Sequence, residues 1–318
     1  MLVLSAGSAS ELFTNACRAV LATGTVVSPR GMDTLEVLGA SLTLTNPRRR
    51  LVDVPPARVL NPAFAVAEAV WILSGSDGPW ICTYNERLAS YTDNGRLIGA
   101  YGPRLRRWDG VVDQLDQVRR VLLRDPQSRQ AVIQLFDPAV DFQGYKDVPC
   151  TLGYRFFLRN GLLHMHTTMR SQDLWRGFCY DIFAATMLQE LLACWLSAGL
   201  GNYRHFADSL HLYATDVPAA QRLPAAAMPG AHMRSLAAPW EGFDSLLAAV
   251  LGDEQLASGG WTEIAGVMAS YRTWKAGQRE PARAAAAELD GPLAAALCRW
   301  YQRLSGDRQQ EPATTAGR

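Results

Sequence analysis

The residue in this 318-residue sequence with the clearest makings of a nucleophile is Cys150, which closes the run Asp147-Val148-Pro149-Cys150 just before a strand-like segment. The ordinary place for a cysteine is a buried apolar one. It becomes a nucleophile where cationic neighbours favour its thiolate. Twenty residues on, the segment from Arg170 to Asp181 sets Arg170, Ser171, Asp173, Gly177 and Asp181 between two regular elements. Such a polar cluster is poor core material. His211 and Tyr213 stand two apart in a strand-like run, so both project to one face and could hold a sugar. With His205 nearby a metal comes to mind, but no third ligand stands at a suitable spacing, and no metal is expected. Glu68 lies on an apolar helical stretch, where a carboxylate is exposed, paired or functional. Arg30, in Ser28-Pro29-Arg30-Gly31, is by itself only a loop arginine. No glycine-rich phosphate loop, HExxH or GxSxG motif is present.

Periodicity supplies the elements that must position these groups. Helical spacing predicts a helix over 10–22, opened by a capping serine, and a loop over 23–34. Alternation predicts a strand over 35–46. Pro62 leads a helix that Gly75 ends. Residues 76–110 read as a long functional loop region, and 109–123 as a second helix. A strand at 130–136 precedes two strands joined at Asn160-Gly161, a strong hairpin dipeptide. The longest buried helix is expected over 181–200, a short strand-like piece at 204–216, and Ala-rich helices over 217–300. The pattern implies one α+β domain over 1–304, with central strands and flanking helices, and a polar tail at 305–318.

Composition narrows the class. The chain is 48% hydrophobic with a formal net charge of +1, which argues against a dedicated nucleic-acid coat or a polybasic membrane binder. Two of its 31 cations are lysines, Lys146 and Lys275, and the rest are arginines, whose forked donors suit phosphate. Six cysteines without a CxxC pair, no signal-peptide pattern and no membrane span predict a cytoplasmic protein with free thiols.

Taken together the motifs resemble the thymidylate synthase superfamily, which includes the pyrimidine 5-hydroxymethylases, over roughly residues 12–216. SPRGMDTLEVLG looks like the family's phosphate-binding arginine loop, AEAVWILSGSD like its helix with a relay glutamate, and AYG at 100–102 like its loop tyrosine. DPQSRQAVI resembles the segment that lends arginines to a neighbouring subunit. VPC matches the nucleophile motif, RSQDLWRGFCYDI the family signature, and HLY the sugar-binding end. The resemblance implies a mixed sheet with one face forming a homodimer interface. It implies catalytic roles for Cys150, Glu68, Tyr101 and Asp181. Arg30, Arg170 and Ser171 would hold a 5′-phosphate, with Arg129 donated across the dimer, and His211 and Tyr213 the sugar. Asp173 and Gly177 would lie near 5,10-methylenetetrahydrofolate. The implied partners are a pyrimidine nucleoside monophosphate, folate and a second copy, with no membrane and no obligatory nucleic acid.

The departures carry information. Synthases acting on dUMP carry Asn where this chain has Asp181. An amide can donate to uracil O4 and accept from N3–H, whereas an ionised carboxylate only accepts. Cytosine offers an exocyclic NH₂ there. A carboxylate can accept from it and from a protonated N3, or a protonated carboxyl can donate to neutral N3. Thr151 stands where synthases usually have His, Gln130 in place of a second phosphate arginine, and Met169 where Gln is usual. The sequence does not end in the short apolar tail that closes over folate in synthases. The resemblance therefore implies hydroxymethylation of CMP, with dCMP second. The Arg-rich composition favours the family's CMP enzymes of nucleoside-antibiotic synthesis over its phage deoxycytidylate enzymes. The competing readings are a dUMP thymidylate synthase and a non-catalytic nucleotide- or RNA-binding relative.

Overall fold

The computed structural model describes residues 1–254, 256 and 259–309. The chain opens with β1 (Leu2–Ala6), α1 (Ala9–Thr23), β2 (Thr25–Val27) and β3 (Thr34–Leu44). After a break at Pro55-Pro56 come α2 (Pro62–Leu73), α3 (Tyr101–Arg106), α4 (Gln114–Arg124), β4 (Val132–Gln134) and α5 (Pro138–Asp141). The centre of the chain forms β5 (Thr151–Arg159), β6 (Leu162–Met169), β7 (Gln172–Asp173), α6 (Phe178–Trp195) and β8 (Gly199–Tyr213). Helices α7 (Val217–Gln221), α8 (Phe243–Leu251), α9 (Gly260–Lys275), α10 (Arg279–Glu288) and α11 (Pro292–Gln309) complete it.

One mixed sheet organises these elements, in the order β1-β3-β8-β6-β5-β4, with β2 paired to β3 and β7 to β8. The pairs β1–β3, β6–β8 and β7–β8 are parallel and the others antiparallel. Helices α2 and α6 are apolar nearly all round and are buried against each other. A helix without a polar face belongs inside a core. Asn61 caps α2 by accepting from Phe64 N at 3.3 Å, and Pro62 fills the first helical position, where its missing N–H costs nothing. The expected hairpin turn is present, with φ of 50° at Asn160 and 72° at Gly161, as a tight two-residue turn requires.

Several expectations are corrected. Helix α1 starts at Ala9 and its cap is Ser8, not Ser10; the Ser8 hydroxyl accepts from Glu11 N at 3.3 Å. The expected loop over 23–34 contains β2. Helix α4 starts at Gln114 and not at Asp109, because Asp109 and Gly110 take positive φ in a turn closed by a Trp108–Val112 bridge. The piece expected to be short, 204–216, is the end of the 15-residue β8, which pairs with β3, β6 and β7. Strand β1 had no counterpart among the expected elements. The polar tail expected from Ser305 is helical to Gln309, and the rest of it lies outside the described residues.

Strand β5 leaves Cys150 through a bulge. The register with β6 shifts between Thr151 and Gly153. Inward and outward alternation is thereby broken, so that Thr151, Gly153 and Tyr154 are all buried. Gly153 is required there: a Cβ on it would lie 2.2 Å from the Ile133 carbonyl oxygen of β4.

Candidate active site

Five elements converge on a cavity of about 150 Å³. Helix α2 sends in Glu68 and Trp71, the start of α3 sends in Tyr101, and the segment before β5 brings Asp147, Pro149 and Cys150. Strand β5 itself supplies Tyr154, and the first turn of α6 supplies Asp181. The rest of the wall is mainly apolar, with Ile72, Leu88, Leu97 and Ala184. Cys150, Glu68, Tyr101 and Asp181, the four residues expected to act chemically, therefore share one chamber.

Each is held from behind. Tyr101 Oη accepts from Thr151 N at 3.2 Å, beside Cys150. Its helix is fastened by Arg104, which meets Asp141 through two hydrogen bonds of 2.6 and 2.7 Å and also donates to Leu135 O at 2.6 Å. Arg104 and Asp141 are both buried, so neither tolerates loss of the other. Arg170 donates from Nε to Pro149 O at 2.9 Å and from its terminal nitrogen to Val148 O at 3.0 Å, with that nitrogen 3.9 Å from Cys150 Sγ. Asp181 Oδ2 accepts from Gln172 Nε2 at 2.9 Å. Gly177 clears space for that bond, since a Cβ there would lie 3.0 Å from Gln172 Nε2 and 3.2 Å from Asp181 Oδ2.

Charge in the cavity follows from burial. Burial, with the Asp181 charge adding to it, pushes Glu68 up to about 8. Burial pushes Asp181 to about 6, against the pull of the Gln172 hydrogen bond. At neutral pH the two carboxyls thus hold one proton between them, on Glu68, and Asp181 is the anion. The Cys150 thiol is pushed up by burial, while Arg170 and Arg30 pull it down. The arginines act in the expected direction and burial outweighs them.

The other expected residues divide into two groups. Arg30 sits in the turn Pro29–Gly31 with φ 55°, and its charge acts on both Cys150 and His211, which places it near the cavity mouth with exposed Arg170 and half-buried Ser171. His211 and Tyr213 end β8, with ring centroids 5.3 Å apart. Burial lowers the His211 imidazole against the opposing charge of Asp173, so the ring is neutral at pH 7. Asp173 accepts from Trp175 N and Arg176 N at 2.8 and 3.0 Å, forming the turn into α6. Arg129 does not line the cavity of its own chain; with Ser128 and Gln130 it borders a separate surface cleft of about 510 Å³.

Sequence reasoning missed Gln172, Asp147 and Tyr154. Asp147 accepts from Gly99 N at 3.1 Å and closes the cavity floor. Gln172 lay inside the quoted signature, and nothing in its type announced a partner nine residues on. Tyr154 had one signal, the isolated glycine before it in a strand-like run, which marks a bulge.

A larger cleft of about 630 Å³ adjoins the cavity, and Leu88 lines both. Its wall is aromatic and cationic, with Tyr84, Trp175, Tyr180 and Trp300 beside Arg58, Arg87 and Lys275. Arg58 donates to Trp175 O at 2.9 Å, while its Nε is buried without a hydrogen-bond partner. Stacking faces beside Arg58, with its one unpartnered Nε, suit a flat heteroaromatic ring carrying carboxylates, while Lys275 is held by Glu86 on the same wall.

The sequence model of the thymidylate synthase family matches residues 11–233. The chain belongs to the thymidylate synthase family. It is 35% identical over 230 residues to the deoxyuridylate hydroxymethyltransferase of Bacillus phage SP01, covering 68% of this chain and 60% of that protein. It is 30% identical over 185 residues to the deoxyuridylate hydroxymethyltransferase of Delftia phage PhiW-14, covering 54% of this chain and 50% of that one. The chain thus spans about half to three-fifths of the length of these two relatives. Among the described residues, no helix is long and apolar enough to cross a membrane.

Proposed function

We propose that this chain is a cytidylate 5-hydroxymethyltransferase. It would convert CMP, and dCMP less readily, to the 5-hydroxymethyl nucleotide with 5,10-methylenetetrahydrofolate and water. The observation that carries the base assignment is Asp181: a carboxylate in the same chamber as the cysteine, anionic near neutrality, with one oxygen tied to Gln172. Facing uracil O4 it would set lone pair against lone pair; facing the cytosine amino group it accepts a hydrogen bond. The names of the two phage relatives support hydroxymethylation over methylation.

The aromatic, cationic cleft fits folate, with Arg58 and the rings of Trp175 and Tyr180 as its holders. When bound, folate supplies a one-carbon unit at the oxidation level of formaldehyde. The chain's own residues do the rest. Cys150 thiolate adds to C6 and makes C5 nucleophilic. Glu68, in its ionised form, accepts the proton that leaves C5, with Tyr101 beside it. Arg170 and Arg30 neutralise phosphate, and His211 and Tyr213 meet the sugar. Arg129 would serve the partner's phosphate in a homodimer built on the open sheet face. Cys150→Ala and Arg129→Ala subunits, each inactive alone, should regain activity when mixed and allowed to exchange; a mixture as dead as its parents counts against the shared site.

The deciding experiment incubates CMP, dCMP, UMP and dUMP separately with enzyme and methylenetetrahydrofolate and weighs the products. Gain of one formaldehyde unit by a cytidylate is expected, and its sugar preference is read from the same screen. A CH₂ gain on dUMP with dihydrofolate formed would overturn the reading in favour of a synthase. Hydroxymethylation of dUMP alone would overturn the base assignment and keep the reaction.

A further inference from the structure

We infer that Tyr154 seats the water consumed in this reaction, holding it beside Glu68 at the exocyclic carbon of the Cys150-bound pyrimidine. The inference rests on the hydroxymethyl reading above and adds a residue that nothing in the motifs assigns.

The backbone has been shaped to bring this side chain in. On a regular strand Tyr154, three residues beyond buried Thr151, would take the face opposite to it. The bulge between Thr151 and Gly153 turns Tyr154 inward, where it lines the cavity and is 5% exposed. Bulges next to active sites commonly re-aim a side chain in this way. Tyr154 there feels the charges of both Asp181 and Glu68, with the Thr151 side chain acting in the opposite direction. Behind it, in register across the sheet, stand Thr167 and His205, joined through the Tyr203 hydroxyl by hydrogen bonds of 2.9 Å on either side. All three are buried.

A phenol that only filled space against the core would need no hydroxyl on this wall. An ordered water needs two to four polar partners in an otherwise dry site. Tyr154, Glu68 and Asp181 provide three, in a chamber otherwise walled mainly by apolar side chains. Burial and the two carboxylates hold the phenol protonated throughout the working pH range. It can therefore orient water, while proton acceptance falls to Glu68.

The step balances without a redox partner. Once the one-carbon unit is on C5 and tetrahydrofolate has left, the ring carries an exocyclic C=CH₂ with Cys150 Sγ bonded to C6. The water oxygen bonds to the CH₂ carbon, and the π pair shifts into the ring. The C5 proton has by then passed from Glu68 to the departing amine nitrogen, so Glu68 is ionised again and takes the surplus water proton. The displaced pair then forms C5=C6 as the C6–S bond breaks, and Cys150 leaves as thiolate.

The test is Tyr154→Phe with [5-³H]CMP, methylenetetrahydrofolate and 2-mercaptoethanol. The thiol competes with water for the same exocyclic carbon and leaves a thioether. Tritium release reports the steps up to loss of the C5 proton. In the variant, tritium release should persist, while the ratio of thioether to hydroxymethyl product rises at least about tenfold over wild type. An unchanged ratio, with wild type still hydroxymethylating, overturns the role of Tyr154 alone. Absence of tritium release from the variant also overturns it, since the hydroxyl would then act before water enters. If wild type makes no hydroxymethyl product, the parent reading falls and takes this role with it.

Discussion

Replacing Cys150 with serine should remove product formation from every nucleotide, by on the order of 10⁴-fold or more, while the fold survives. Both side chains are small, and the cysteine is half-buried in a preformed chamber, so the structural cost of the exchange is slight. The chemical cost is large, because a serine hydroxyl offers no populated anion near pH 8. The same reasoning fixes the sign of the wild-type pH profile. Burial raises the Cys150 thiol, and Glu68 loses its proton at about 8. The reactive forms of both are the deprotonated ones, so kcat/KM should climb from pH 6.5 to pH 9 before substrate is bound. Product mass spectrometry, with circular dichroism as the fold control, measures the first effect. Turnover by Cys150→Ser within about a hundredfold of wild type would sink the covalent route.

Exchanging Asp181 for asparagine should invert the choice of base. The variant loses the acceptor for the cytosine amino group and gains an amide that donates to uracil O4 and accepts from N3–H. A mispaired buried polar group costs about 1–3 kcal/mol, so activity on cytidylate should fall, and on uridylate rise, by about ten- to a hundredfold each. The ratio of kcat/KM values for the two bases should therefore move by about 10²–10⁴. Gln172 must serve the new side chain too, and its amide can still donate to the asparagine carbonyl. Losing a charge so near Glu68 should lower that carboxyl's proton affinity as well, since Asp181 is a cause of its elevation. A variant that ignores uridylate would place the base choice elsewhere in the chamber.

Of the residues proposed to act chemically, Cys150, Glu68 and Asp181 stood out in the sequence by type, and Tyr101 came from the resemblance of one short motif. Cys150, Glu68, Tyr101 and Asp181, drawn from four separate segments, meet in one cavity because α2, α3, the segment before β5 and α6 present them there. The alternation of residues 35–46 and the Asn160-Gly161 dipeptide read directly as β3 and the β5–β6 hairpin, since each depends only on local sterics. What failed depends on context. A capping serine is chosen by where the chain enters the helix, so Ser8 served and Ser10 instead bonds the carbonyls of Leu51 and Asp53. The Asp109-Gly110 turn held back the start of α4 despite helical spacing. Strand β8 looked short because its first residues carry glycines and polar groups, yet it pairs along its length with three neighbours. Tyr154 had only the glycine before it as a signal, because a bulge alters which face a residue takes and strict alternation assigns it the wrong one. The arginine contribution at Cys150 was foreseeable from charge, but the larger effect of burial requires the packed cavity.

Gly153 gives the site a mechanical property. Its missing side chain lets β4 lie against β5, with backbone where a methyl group would otherwise stand. Strand β4 is only three residues long and sits at the sheet's edge, ordinarily the part of a sheet most free to drift. Here it is the spacer against which the strand behind Cys150 is gauged, and it follows directly on the loop that bears Arg129. On the proposed mechanism, the depth of Cys150 and the reach of Arg129 across the dimer would both answer to this one contact.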